Sequence, residues 1–246
     1  MKKIQFGILI VFLVLTGCFK ENTIKLNLFS NPEKIDTQQA TDSASKLIVS
    51  HIFEGLTTED STGRIVPAVA ESWSVNGNVW TFNLNKNAKW HNGKKVIAED
   101  FIVAWERALN SKNNNKLAYM LYPIKGAREY NQGTIIDFKA VGVKALSESI
   151  LQVELNTPNP YFESLVAHPM FYPINKAFYE EHKEKYGLNK KNILGNGAYY
   201  IAEWDTSKKI ILKKSDKYVN EKKLNIKNID LIINGDTVQL KKMYEE

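Results

Sequence analysis

The sequence predicts a mixed α/β fold in which a β-rich segment is inserted between two α/β parts. Three observations support this prediction. Alternating apolar and polar residues, typical of half-buried strands, occur near both ends of the chain and in its middle. Apolar residues at helical spacing lie between these strands. Four of the seven prolines fall within residues 158–173, and we interpret this region as a crossing between lobes.

The first α/β part begins with a strand, a loop and a helix. Apolar and polar residues alternate over Ile24–Phe29, which predicts a strand. A polar loop follows from Ser30 to Asp42. Residues Ser43 to Glu54 carry apolar side chains at helical spacing, and we expect Gly55 to end this helix as a C-cap glycine.

The inserted segment is richer in strands. Asn76-Gly77 predicts a tight turn between two of them, and a helix is expected from Ala118 to Tyr130. An earlier helix has one apolar face, formed by Phe101, Ala104, Trp105, Ala108 and Leu109. The predicted strands are Ala70–Val75, Val79–Leu84, Val141–Leu146 and Ile150–Leu155.

The last part returns to alternating helices and strands. We expect a helix from Lys176 to Tyr186 and a loop at Gly195-Asn196-Gly197. The remaining predicted elements are strands at Ala198–Trp204, Lys209–Lys213 and Ile226–Ile233, and a short helix from Asp236.

The N-terminus carries the features of a secretory signal peptide. Lys2 and Lys3 precede an apolar run from Ile4 to Leu15, and small residues follow. Those 12 residues span only about 18 Å as a helix, whereas a transmembrane anchor must cross about 30 Å. Leu15-Thr16-Gly17-Cys18 resembles the bacterial lipobox, so we expect Cys18 to be lipidated and to become the mature N-terminus. An anchor with several acyl chains would hold the protein stably at a membrane of the cell envelope, facing the periplasm or the exterior.

Charge and cysteine content exclude several classes of protein. The formal net charge is +6, and loss of Lys2 and Lys3 with the signal peptide leaves +4. The basic residues are interspersed with acids and apolar residues rather than gathered in a stripe with stacking aromatics, so no nucleic-acid partner is expected. Cys18 is the only cysteine, which excludes an internal disulfide.

No catalytic or cofactor motif is present in the sequence. It lacks a G-x-S-x-G elbow, a P-loop and an H-E-x-x-H helix. Gly195-Asn196-Gly197 starts like a dinucleotide fingerprint, but Tyr200 stands where the third glycine belongs. The four histidines are too far apart in sequence for a local metal motif. We therefore expect neither an enzyme nor a bound metal or cofactor.

Several ordered segments resemble the peptide-binding proteins of ABC importers, namely solute-binding protein family 5 and its oligopeptide-binding branch. The segments are Phe53–Leu56, Pro67–Trp73, Val79–Leu84, Ala88–Gly93, Ala98–Phe101, Trp105–Arg107, Val141–Ala145, Pro160–Phe162 and Gly195–Tyr199. The resemblance extends from about Ile24 to the C-terminus.

This resemblance implies a fold like that of type II periplasmic binding proteins, with a first large lobe and an inserted β-rich small lobe. It divides the chain into a signal peptide (1–17), a lipidated tether (18–22), lobe I (23–53 plus 175–246) and the inserted lobe (54–174). Family members are extracytoplasmic receptors that clamp an oligopeptide between lobes and deliver it to the membrane subunits of an ABC permease. The second large lobe of the family is missing from this sequence.

The resemblance also implies a peptide-binding loop. In the family, the loop after the first strand presents backbone groups to the peptide, and its position here corresponds to Thr41, Asp42 and Ser43. A plain helix-start loop, with Asp42 or Ser43 as the N-cap, is the alternative. Four tryptophans of the shared segments are expected in the core rather than at the ligand: Trp73, Trp80, Trp90 and Trp105.

Three departures from the family pattern affect these expectations. Ile97 replaces the usual helix-capping Thr, and Lys116-Leu117 replaces a Pro-Tyr that faces the cleft. The chain has about half the usual length, which a supplied fragment, a truncated gene product or a lobe with another role would each explain. A receptor that has only one of the two lobes that clamp the peptide should bind peptides weakly or not at all. The alternative function is a surface lipoprotein that uses the lobe for adhesion or protein interaction.

Overall fold

The computed structural model describes residues 22–235, which form two four-stranded sheets and one two-stranded hairpin. The predicted signal peptide, Cys18 and the short helix expected from Asp236 lie outside the described residues. The strands are β1 (Thr23–Leu28), β2 (Thr57–Glu59), β3 (Ile65–Pro67), β4 (Ala70–Asn76), β5 (Val79–Leu84), β6 (Val143–Ser147), β7 (Ile150–Glu154), β8 (Tyr199–Asp205), β9 (Lys209–Lys214) and β10 (Asn228–Ile233). The α-helices are α1 (Ser43–Ile52), α2 (Ala98–Leu109), α3 (Ala127–Asn131), α4 (Phe162–Leu165) and α5 (Lys176–His182).

The first sheet joins the two ends of the described chain in the order β1-β10-β9-β8. β1 runs parallel to β10, and the other neighbours are antiparallel. Because side chains alternate along a strand, one face of the sheet collects apolar residues. The buried residues of this face are Ile201, Ile210, Leu212, Ile229 and Leu231. Helix α1 contributes Ile48, Val49 and Ile52 to the same core.

The second sheet has the order β4-β5-β7-β6 and is wholly antiparallel. Alternation along β5 buries Trp80, Phe82 and Leu84. The predicted apolar face of α2 is confirmed, since all five of its residues are buried. Trp90 and Trp105 are also fully buried, whereas Trp73 is only partly buried and its indole N–H donates to the Glu163 carboxylate at 2.8 Å.

Three predicted helices differ from the structure. The helix expected from Lys176 to Tyr186 ends at His182, and a 3-10 turn follows it. α1 ends at Ile52, and its C-cap is Phe53 in an extended conformation, so Gly55 does not cap it. Gly55 instead permits close packing, because a Cβ there would lie 2.6 Å from the Tyr172 ring. The helix expected from Ala118 to Tyr130 is a short 3-10 helix followed by α3, and Gly126, with φ of +72°, lies between them.

The predicted loss of the cap at the start of α2 is confirmed, since Ile97 provides no side-chain acceptor. Asp100, three residues on, compensates in part, because its Oδ2 accepts the Ile97 backbone N–H at 3.1 Å and the Trp90 indole N–H at 2.9 Å. Burial raises the pKa of Asp100 above its ordinary value, although these hydrogen bonds oppose the shift. This carboxylate therefore ties the turn around Trp90 to α2.

A buried ion pair connects the loop after β1 to α2. The Arg107 guanidinium donates to both carboxylate oxygens of Asp36, at 3.0 and 2.5 Å, and lies 4.8 Å from the centre of the Tyr179 ring. Burial disfavours the Arg107 charge, but Asp36 outweighs it and raises the pKa of Arg107. The pair joins Asp36 of the predicted lobe I to Arg107 of the predicted inserted lobe. The division between these lobes at residues 53/54 stays a prediction.

The Arg107→Ala substitution should destabilise the fold strongly, because the fully buried Asp36 carboxylate loses the cation that contacts it at 2.5 Å and keeps only the more distant Lys34 Nζ at 3.9 Å. Breaking such a buried pair costs about 3–5 kcal/mol, to be measured by urea unfolding. The control is Arg64→Ala, which removes an ion pair to Asp60 whose arginine side chain is 77% exposed. That variant should unfold close to the wild type, and equal losses in both variants would contradict the prediction.

Candidate functional site

The loop at Thr41, Asp42 and Ser43 leads directly into α1. Asp42 is the N-cap of the helix, with φ of −81° and ψ of 156°, and its Oδ1 accepts the backbone N–H of Ser45 at 2.8 Å. Of the two predicted N-cap candidates, Asp42 and Ser43, the structure confirms Asp42. Partial burial disfavours ionisation of Asp42, but the hydrogen bonds from Ser45 and Glu33 leave its pKa below the ordinary value.

The same loop presents backbone donors at the surface. Thr41 and Ser43 are exposed, and Asp42 is half-buried. Within residues 22–235, the backbone N–H groups of Thr41 and Ser43 form no hydrogen bond to other backbone groups, and that of Asp42 meets its own carboxylate. The first N–H groups of a helix have no intrahelical partner, and the helix dipole adds partial positive charge there. The loop can therefore donate hydrogen bonds to a carbonyl or carboxylate.

Residues on both sides hold this loop in place. The backbone N–H of Ala40 donates to the Asp36 carbonyl at 2.8 Å, and the Gln38 amide reaches the Ala104 carbonyl and the Arg107 guanidinium. On the helix side, Ser45 Oγ accepts the N–H of Lys34 at 3.2 Å. The orientation of the free donors thus depends on α1 and, through Asp36, on α2.

The other end of α1 meets the Gly195-Asn196-Gly197 loop at a close backbone contact, which we call the junction (residues 52–54 and 195–197). The Gly197 N–H donates to the Ile52 carbonyl at 2.9 Å. The Asn196 amide bonds both the N–H and the carbonyl of Glu54, at 3.1 and 2.9 Å. A Cβ at Gly197 would lie 2.7 Å from Phe53 N, so larger residues do not fit without a backbone shift.

His91, in the segment between β5 and α2, also contacts the junction. Its backbone N–H donates to the Gly195 carbonyl at 2.9 Å, and its ring Nε2 lies 3.0 Å from the Gly197 carbonyl. Burial lowers the pKa of His91, although the contact with Gly197 and the charge of Asp216 oppose this. We interpret this histidine as a packed structural residue, because its ring bonds main chain.

Glu54 places a carboxyl group beside the junction. The Tyr218 hydroxyl donates to its Oε1 at 2.6 Å. The residue as a whole is half-buried, but its carboxyl group lies among neighbouring side chains, and this burial raises its pKa to about 7. Burial and the proximity of Glu54 raise the pKa of Tyr172 to about 12. The carboxyl therefore gains or loses its proton near neutral pH.

The structure does not bring all of these residues into one site. The loop and the junction lie at opposite ends of α1, which at ten residues is about 15 Å long. Sequence reasoning quoted the segments Phe53–Leu56 and Gly195–Tyr199 but gave no role to Glu54, Asn196 or Tyr218. Glu54 and Asn196 occur in these shared segments, whereas no sequence signal pointed to Tyr218. In the part of the chain described here, no cluster of His, Cys, Asp and Glu has the arrangement of a metal site, and no helix is long and apolar enough to cross a bilayer.

Comparison with known families decides how this architecture is classified. The family model described as bacterial extracellular solute-binding proteins, family 5, middle region, matches residues 64–245.

The chain belongs to this family.

Two of its curated relatives are oligopeptide-binding proteins. The oligopeptide-binding protein OppA of Bacillus subtilis is 36% identical over 228 residues, which are 90% of this chain and 41% of the relative. The periplasmic oligopeptide-binding protein OppA of Escherichia coli is 35% identical over 215 residues, or 85% of this chain and 39% of the relative. The chain thus spans about two fifths of the length of these relatives.

Solved structures confirm the fold as a partial family 5 fold of the periplasmic-binding-protein type. The substrate-binding domain of an oligopeptide ABC transporter from Bacillus anthracis superposes with a TM-score of 0.88 at 33% identity, covering 92% of this chain and 44% of that one. OppA of Listeria monocytogenes bound to peptide gives 0.87 at 30% identity, covering 92% and 45%.

The pH dependence of folding should report the Glu54 environment. An unfolded glutamate titrates near 4.5, so between about pH 5 and 7 the unfolded chain loses this proton while the folded chain keeps it, and stability falls as pH rises. Glu54→Gln removes this dependence. The difference in free energy of unfolding between Glu54→Gln and the wild type should therefore grow in favour of the variant from pH 5 to pH 8, by up to about 3 kcal/mol.

Chemical unfolding at several pH values measures this difference. Glu59→Gln, which changes an exposed carboxyl group, is the control and should keep the wild-type pH profile. An unchanged profile in Glu54→Gln would show that this carboxyl is ionised like an ordinary surface glutamate.

Proposed function

We propose that this chain binds oligopeptides as part of the substrate-binding component of an ABC importer. The support is its membership of a solute-binding family and its similarity to oligopeptide-binding proteins. One observation supports particular atoms as the binding groups: within residues 22–235, the backbone N–H groups of the exposed residues Thr41 and Ser43 form no hydrogen bond to other backbone groups.

Backbone donors suit a receptor for peptides of many sequences. Main-chain hydrogen bonds recognise the part that all peptides share, as in strand addition to a sheet edge. Side chains of the peptide then contribute less to affinity, since bridging waters satisfy varied polar groups at low cost. On this proposal, the loop at Thr41, Asp42 and Ser43 contacts the peptide main chain, and Asp42 keeps its capping role.

The proposed role is binding rather than catalysis, and no cofactor takes part in it. It also places the protein at the cell envelope, held to a membrane by a lipid on Cys18 and in contact with the membrane subunits of an ABC permease. The lipobox-like residues Leu15–Cys18 support the lipid anchor. The alternative proposal, a surface lipoprotein that uses this lobe for adhesion or protein interaction, shares the anchor but not the peptide.

Titration calorimetry with mixed oligopeptides should give weak binding or none for the chain as it stands. The chain spans about two fifths of its relatives, so a peptide on the loop would be contacted from one side. A dissociation constant in the micromolar range would contradict this expectation.

A more local test uses amide NMR signals with tetra-alanine at millimolar concentration. We expect peptide-dependent shifts at Thr41, Asp42 and Ser43. Ser43→Pro removes one donor at the first helical position, where proline is tolerated, and the extended Asp42 suits the residue before a proline. This variant should fold normally and lose the shifts at Thr41 and Asp42.

Ser43→Ala is the matched control, because it removes the side chain and keeps the N–H. It should respond to the peptide as the wild type does. Equal responses in the proline and alanine variants would exclude the backbone role of this loop. If the chain recovers a permease subunit in the absence of peptide, a docking role is favoured. If it binds neither peptide nor permease subunit, the adhesion alternative is favoured.

Lipidation is tested separately by Cys18→Ser. Loss of the only thiol removes the acylation point, so the variant should move from the membrane fraction to the soluble fraction after export. Metabolic labelling with a fatty-acid probe should mark the wild type alone. Continued sedimentation of the variant with membranes would contradict the proposed anchor.

A further inference from the structure

The sequence contains four Asn-Gly pairs, at which an asparagine side chain can react with the backbone that follows it. They are Asn76-Gly77, Asn92-Gly93, Asn196-Gly197 and Asn234-Gly235. Glycine permits the reaction because it has no side chain to obstruct the approach to its nitrogen. Three of these pairs, all but the last, lie well inside the described range.

The reaction is a deamidation that consumes only water. The glycine backbone nitrogen attacks the asparagine Cγ, so an N–C bond forms while the bond from Cγ to the side-chain nitrogen breaks. That nitrogen takes up the glycine N–H proton and leaves as ammonia, and a five-membered succinimide remains. Water then opens one of the two ring N–C bonds and gives aspartate or isoaspartate. Hydrogen bonds that hold the side-chain amide or the glycine N–H must break first, so they should slow the reaction.

The structure holds Asn196-Gly197 rigidly in the junction. Asn196 is only 4% exposed, and its amide donates to the Glu54 carbonyl at 2.9 Å and accepts the Glu54 N–H at 3.1 Å. The Gly197 N–H donates to the Ile52 carbonyl at 2.9 Å. Ring closure would therefore break three hydrogen bonds in a segment that has no space to rearrange.

Asn92-Gly93 is restrained more lightly, at an exposed turn. The Gly93 N–H donates to the Trp90 carbonyl at 2.8 Å, so the attacking nitrogen holds its proton in a hydrogen bond. The Asn92 Oδ1 accepts the backbone N–H of Lys94 at 3.1 Å. Both contacts lie within one short turn, and we expect partial protection.

Asn76-Gly77 has neither restraint. Asn76 is the exposed last residue of β4, and its register with Val79 leaves Gly77, with φ of +62°, at the first position of a two-residue turn. Within residues 22–235, neither the Asn76 side chain nor the Gly77 N–H forms a hydrogen bond. A Cβ built at Gly77 would have no atom within 4 Å, so the turn has space to rearrange.

We propose that Asn76 is a site of spontaneous deamidation in the folded protein, whereas their hydrogen bonds protect Asn92 in part and Asn196 almost completely. The product adds a negative charge at the turn between β4 and β5. As isoaspartate it also lengthens the main chain by one carbon, which disturbs the pairing of residue 76 with Val79. The inference does not depend on the peptide-binding role, since this turn contributes no residue to the loop at Thr41–Ser43.

Peptide mapping by mass spectrometry tests the predicted order. The purified folded chain is kept at neutral pH and sampled over time, and deamidation is quantified at each pair separately. Asn76 should react fastest, Asn92 more slowly, and Asn196 at least about tenfold more slowly than Asn76, because the junction must open locally before Asn196 can react. Isoaspartate should accumulate in the peptide that contains residue 76.

The same incubation in concentrated urea is the control for local sequence. All three pairs should then react at similar rates, because unfolding removes the hydrogen bonds that distinguish them. Asn76→Gln, whose longer side chain would have to close a less favourable six-membered ring, should abolish the reaction at this turn and leave the rate at Asn92 unchanged. Circular dichroism establishes that this variant folds.

Either of two results would overturn the proposal. One is a folded chain in which Asn76 reacts no faster than Asn92 or Asn196. The other is a difference between Asn76 and Asn196 that persists unchanged in urea, because the order would then come from the neighbouring residues and not from the fold.

Discussion

The close backbone contact between residues 52–54 and 195–197 is the constraint on which the rest of this structure depends. Both segments link parts of the first sheet to the inserted strands, and they approach so closely that Gly195 and Gly197 have no room for a side chain. The Asn196 amide satisfies two backbone groups of Glu54, as a neighbouring strand would. This contact fixes where α1 ends and therefore where its N-terminus presents backbone donors.

The loop before α1 depends on a second long-range interaction. A loop that binds through its backbone must be held rigidly, because a flexible one would lose conformational entropy on binding. Asp36 and Gln38 hold this segment against Arg107 and Ala104 of α2. The cost of burying the Asp36 and Arg107 charges is offset by their mutual contact and by further hydrogen bonds, since Gln38 donates its backbone N–H to Asp36 and accepts from Arg107 through its side chain. Under the proposed function, peptide binding and fold stability would therefore depend on the same residues.

The two sheets differ in how completely they are enclosed. The sheet of β4, β5, β7 and β6 is covered by α2 and a dense group of aromatic rings that includes Trp80, Phe82 and Phe162. In the sheet that contains β1, Ile24 and Leu26 are 41% and 37% exposed within the part of the chain that the structure describes.

Local sequence determined the class of fold and most of its elements. Alternation predicted β5 and β7, helical spacing predicted the buried face of α2, and Asp42 was a candidate N-cap before the structure placed it, because these signals arise within a few residues. Tertiary structure alone decided the roles of Gly55, Asp36 and Glu54. Gly55 resembles a C-cap in sequence, yet it is required by the ring of Tyr172, 117 residues away. The pairing of Asp36 with Arg107 and the raised pKa of Glu54 likewise arise from burial among distant segments, which no local pattern encodes.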